Sequence, residues 1–164
     1  MADALFLVVL ILHIGAIVAW MGGASLFVSV IIPSLSKMSP ASKAEFIQST
    51  LPRYLRFISG SSILAIIAGL VLYGYITPSG PGAIYIQTGA VLGLAVLLIA
   101  LGILVPSGRK LILLVKQTQG TQAGTVPDSI MAQIAGSQRR MGLAGRLGVT
   151  LLGIALVLMI IGAS

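Results

Sequence analysis

Residues 83–105 read AIYIQTGAVLGLAVLLIALGILV, without one charged side chain. As a helix rising about 1.5 Å per residue, the stretch is about 35 Å long, and the hydrocarbon core of a bilayer is about 30 Å thick. Backbone N–H and C=O groups in lipid must be satisfied within a helix or in a closed barrel. Barrel strands alternate polar and apolar residues over about ten positions. This run does not alternate, so it reads as a transmembrane helix. Three more uncharged apolar runs, 4–32, 57–76 and 147–163, read the same way. The first exceeds the core thickness and should tilt or project beyond it; the last is at the short end of the range. The expected fold is all-α, a single domain over 1–164 built as an antiparallel bundle of four transmembrane helices.

Hydrophobic residues make up 57% of the chain and charged residues 8%, with a mean hydropathy of +1.11. A soluble domain covers its surface with about a quarter charged residues, so the lipid bilayer is the expected solvent and first partner. The net charge of +7 raises the question of nucleic acid. The cations lie between apolar runs rather than on one soluble face, and no nucleic-acid partner is expected. The absence of cysteine rules out disulfides and thiolate ligation. Asp3 is the only charge before the first run, which is too long for the apolar core of a secretory signal. It reads as a span, not a cleavable leader.

Lys37, Lys43, Arg53 and Arg56 fall between the first and second runs. Arg109, Lys110, Lys116, Arg139, Arg140 and Arg146 fall between the third and fourth, which accounts for all ten cations. The positive-inside rule then predicts a multi-pass protein of the cell membrane. Loops 36–56 and 107–146 are expected in the cytoplasm and both termini on the non-cytoplasmic side. Within the loops, Ser39-Pro40 has the form of an N-cap and a first-turn proline, opening a short helix through Lys43, Glu45 and Ile47. Pro52 marks a break or a fresh start. Residues 109–119 extend the third helix, 120–127 form a polar link, and Asp128 opens a further short helix with its carboxylate at the positive end. Thr77-Pro78-Ser79-Gly80-Pro81-Gly82 is a tight turn that makes a hairpin of the second and third spans. The two halves of the chain share a topology, but no repeat between them is legible in the sequence.

Helices in lipid associate by close van der Waals contact, which small residues permit. Gly15, Ala19 and Gly23 recur every fourth position on the first helix, Ala65 and Gly69 on the second, Gly89 and Gly93 on the third. These are the predicted packing faces, within the chain or against a second copy. His13 is the only histidine, and an ionisable group inside a span is a functional candidate. Its neutral imidazole can ligate copper or haem iron or pass a proton. The alternative is a structural hydrogen bond to a neighbouring helix. Trp20, seven residues on, points within about 20° of His13 at about 100° per residue and shapes the same pocket. Thioethers are soft ligands for Cu(I), which makes Met21 and Met159 candidate partners of His13; the competing reading is apolar filler. A single histidine rules out bis-histidine haem ligation within one chain and leaves methionine or a second copy as the other axial ligand. Arg53 and Arg56 are placed to meet lipid phosphates or a cofactor propionate. No paired carboxylate, phosphate-binding loop or nucleophile–base pair is present, and no catalytic residue is predicted.

The stretch His13-Ile14-Gly15-Ala16-Ile17-Val18-Ala19-Trp20-Met21-Gly22-Gly23 resembles the first-helix pattern of the copper-resistance D family of membrane proteins: an intramembrane histidine, a tryptophan and paired glycines. The same region is similar, less closely, to HemJ-type protoporphyrinogen oxidases. Residues 53–69, a basic start and then an apolar helix with a late glycine, extend the likeness. The first resemblance implies a helical bundle tied to copper uptake or tolerance, with His13 as ligand or proton relay and Trp20 in its pocket. The second implies haem binding and porphyrin oxidation, but the third span lacks the lysine that HemJ-type proteins carry in a later span. A different class of reading stands beside both: an accessory or structural subunit of a larger membrane complex, in which His13 only packs.

Overall fold

The computed structural model describes residues 3–118 and 126–163, and every regular element among them is helical. The helices are α1 (Ala4–Leu35), α2 (Pro40–Ser49), α3 (Leu51–Ile76), α4 (Ala83–Thr118) and α5 (Asp128–Ala163). All but α2 are long and apolar enough to cross a membrane. The chain is a multi-pass, all-α membrane protein.

Local chemistry sets the helix ends. The Asp3 carboxylate accepts from the backbone N–H of Leu5 at 3.2 Å and caps α1. Ser39 Oγ accepts from the N–H of Ser42 at 3.2 Å, and Pro40 sits in the first turn of α2, as the residue types predict. α3 stops where Thr77 turns left-handed at φ 40, its N–H on the carbonyl of Tyr73. Gly80, at φ 80, completes the reversal into α4. The predicted hairpin is present.

Helices outrun the apolar runs on the side that carries the cations. α3 begins at Leu51, with Pro52 in its first turn, so the proline starts this helix rather than breaking it. α4 continues through Arg109, Lys110 and Lys116 to Thr118. The separate short helix expected at Asp128 is instead the opening of one 36-residue helix. Arginine ends a hydropathy run but is a good helix former, and nothing between 128 and 163 interrupts the backbone. Arg139, Arg140 and Arg146 stay exposed while Ser137, Met141, Ala144 and Gly145 are buried. The link expected over 120–127 lies mostly outside the described residues.

A repeat that hydropathy conceals becomes visible in the backbone. α1 contains a π-helical segment at Phe27–Ile31 and α4 contains another at Ala100–Leu104. Each widened turn ends two residues before a proline, Pro33 or Pro106, and each proline is followed by serine and, four positions on, by lysine. A proline inside an α-helix lacks its N–H and clashes with the carbonyl four residues back; the i−5 bonds that close these turns relieve that clash. Aligning the two prolines sets the sequence of α1 in register with that of α4. In the same way Arg56 and Ala65 of α3 match Arg146 and Ala155 of α5. The contacts agree with this register: Gly23 packs on Ile58 in the first half, and the matching Val96 packs on Gly148 in the second. The fold is two antiparallel helix pairs, α1–α3 and α4–α5, whose like order of directions is that of a repeat about an axis along the membrane normal.

Each pair is tight within itself, and the two pairs meet unevenly. At the basic end they close on one another: a Cβ on Gly108 of α4 would stand 2.8 Å from Leu55 of α3, and one on Gly145 of α5 would stand 2.8 Å from Val28 of α1. Phe27 and Tyr54 stack there at 4.1 Å between ring centres. At the other end, where the turn and both termini lie, α3 and α4 touch little and the pairs stand apart.

Candidate functional site

The gap between the pairs is a cavity of about 380 Å³ in the turn-end half of the bundle, walled by all four long helices. Its lining is aliphatic except for a few groups, among them His13, Trp20 and Tyr73. Leu70, Ile76, Leu94 and Ile160 line it and are also largely exposed on the outer, lipid-facing surface, so the cavity is reached from the side. One polar tie crosses its rim: Gln87 Nε2 of α4 donates to the Tyr73 hydroxyl of α3 at 3.2 Å.

His13 is held by α3. Its Nδ1 lies 2.8 Å from the carbonyl oxygen of Ala65. A carbonyl only accepts, so Nδ1 carries the proton and, in the neutral ring, Nε2 keeps a lone pair. Nε2 has no hydrogen-bond partner among the described residues. The spacing of Ala65 and Gly69 explains why this bond can form. A helical carbonyl points along the axis toward the residue four positions on. Glycine there leaves room for the ring, which sits where a Gly69 side chain would be: a Cβ would fall 2.8 Å from Cε1. Trp20 is 3% exposed, and its indole N–H has no partner among the described residues. His13 and, two helical turns deeper, Trp20 thus both line the cavity, the first with an unused acceptor and the second with an unused donor.

The repeat shows how the space arises. The proline register carries His13 onto Ile86 and Trp20 onto Gly93; the Ala65–Ala155 register carries Gly69 onto Met159 and Tyr73 onto Ala163. All eight residues line the cavity. It lies between the two halves, with polar and aromatic groups on the first and small or aliphatic ones on the second.

The predicted residues separate accordingly. His13, Trp20, Met159, Ala65, Gly69, Gly89 and Gly93 meet at this cavity. Met21 does not line it and points at α5, its Cε 3.9 Å from a Cβ built on Gly153. Met159 packs over Gly89, where a Cβ would meet its Cγ at 2.8 Å. The first-helix small-residue face divides: Gly23 is pressed against Phe57 and Ile58, Ala19 is half-buried, and Gly15 is open. Arg53 and Arg56 are exposed on α3 at the basic end, away from the cavity. Sequence reasoning missed Tyr73 and Gln87 as rim residues, because their pairing depends on how α3 and α4 splay beyond the turn. It also missed the second half's contribution, for which Pro33-Ser34 and Pro106-Ser107 were the available signal. No group of three or more histidine, cysteine or acidic side chains that could hold a metal is present among the described residues.

No family model, no curated protein and no solved structure matches this chain.

Proposed function

We propose that the protein binds a small apolar ligand inside the membrane, in the cavity between its two helix pairs, and holds it at Nε2 of His13. One observation carries this reading: the Ala65 carbonyl fixes the His13 tautomer and leaves Nε2 with an unused lone pair, and His13 lines a side-opening apolar cavity. Small-molecule pockets are concave, mostly apolar and about 300–1,000 Å³, with few polar groups to fix orientation, and this one lies inside that range. The positive-inside asymmetry supports a cell-membrane location with the basic end in the cytoplasm, so that the cavity opens in the outer half of the bilayer.

A second reading is Cu(I) bound by His13 and Met159, favoured by their place on one cavity and by the resemblance to the copper-resistance D family. A ligating imidazole ordinarily donates its other N–H to a carbonyl or carboxylate, as His13 does to Ala65. Two donors suit a soft, low-coordinate ion, but a 380 Å³ aliphatic cavity is more room than an ion needs. Haem is less well supported, since its second axial ligand within the chain would have to be Met159. Elemental analysis, visible absorption and solvent extraction with mass spectrometry of gently purified protein test these together. An extractable apolar compound, released by filling the cavity, supports the first reading. Stoichiometric copper lost in Met159→Leu replaces it with the second.

A further inference from the structure

Resting on the cavity reading above, we infer that the ligand class is a lipid-soluble quinol, one aromatic ring with an oxygen at each end. Three features narrow the class. Nε2 of His13 is an acceptor, so the ligand must bring a donor, as a hydroxyl does and an ether or carbonyl does not. The Trp20 N–H is a donor about two turns, or about 10 Å of helix rise, deeper than His13, so the ligand must also bring an acceptor at its far end. Between these poles the second half withdraws its side chains: Gly93 and Ala90 are the counterparts of Trp20 and Ile17, and all four line the cavity. The small residues there leave width for a flat ring beside Ile66, and the indole of Trp20 and the ring of Tyr73 favour an aromatic occupant over a saturated one. The ring's alkyl substituents leave through the side opening beside Leu70 and Leu94, both exposed to lipid. A quinol supplies a hydroxyl at each pole, donating to Nε2 and accepting from the indole. A simple alcohol satisfies only one pole, and a quinone lacks the hydroxyl that His13 requires.

The chain's single tryptophan lies at the deep end of the site, so its emission reports occupancy. Detergent-solubilised full-length protein is titrated with an alkyl hydroquinone and with its dimethyl ether. The hydroquinone is expected to change Trp20 emission saturably and to bind about tenfold more tightly than the ether, the cost of leaving a buried acceptor without a donor. Gly93→Leu fills the cavity and should abolish both responses. Its first added atom, the Cβ, meets only Ile66, at 3.5 Å, and circular dichroism checks that the variant is folded. Equal affinities for hydroquinone and ether overturn the quinol assignment and leave the cavity as a site for some other apolar ligand. No saturable response to either compound, or a response unchanged in Gly93→Leu protein whose circular dichroism is intact, overturns the cavity reading and the quinol assignment with it.

Discussion

Gly69→Ala should unseat His13. The new methyl would lie 2.8 Å from Cε1 and 3.1 Å from Nδ1 of the imidazole. Carbon atoms rest at about 3.5–4.0 Å, so the ring must withdraw by about 0.7 Å. The 2.8 Å bond to Ala65 then stretches past the range of a hydrogen bond. Interhelical hydrogen bonds in membranes are worth about 0.6–2 kcal/mol, and forcing a methyl into a packed interface costs about 1–3 kcal/mol. Exchanging glycine for alanine inside a helix returns about 1 kcal/mol. The expected net loss is about 1–4 kcal/mol. Gly15→Ala and Gly74→Ala are the matched controls, because a Cβ at either meets nothing within 4 Å; both should be neutral or slightly stabilising. Unfolding in mixed micelles by added dodecyl sulfate, followed by far-ultraviolet circular dichroism, gives the stabilities, and nitrogen-15 NMR of His13 gives its tautomer. If Gly69→Ala matches Gly15→Ala in stability and His13 keeps its Nδ1 proton and chemical shifts, the account of the site is wrong.

Two further outcomes are expected. Gly82→Ala and Gly89→Ala set a methyl against backbone oxygens, 2.5 Å from that of Gly162 and 3.0 Å from that of Ala155. Backbone cannot swing aside as a side chain can, so each should cost more than Gly69→Ala does; a smaller loss in the same micelle titration would mean that α4 and α5 are not in such close contact. A membrane-impermeant amine reagent should reach Lys43 and Lys116 from the same face of sealed vesicles; modification from opposite faces would break the bundle's topology.

The four spans were legible because charge and hydropathy are local properties: no cation or acid interrupts 83–105, and the turn residues at 77–82 dictate a reversal. The limits at the basic end were not, because apolar character and helicity are different quantities. Arg139, Arg140 and Arg146 end the first and continue the second. The site was half legible. An intramembrane histidine with tryptophan two turns on can be read directly, and so can the small residues at Ala65 and Gly69. That Gly69 exists to admit the His13 ring depends on the rotation of α3 against α1, which spacing within one helix does not set. Met21 and Met159 were indistinguishable in sequence for the same reason. Only the packing turns one toward Gly153 and the other onto the cavity.

The unequal halves around the cavity have a consequence for how a guest would be seated. Two identical walls would offer a ligand a pair of energetically degenerate poses, related by a half-turn. With imidazole and indole on one wall and isoleucine and glycine on the other, that degeneracy would be lifted, and a guest would have one preferred way round. A handful of side chains thus makes an oriented receptacle out of two halves that share one order of helices.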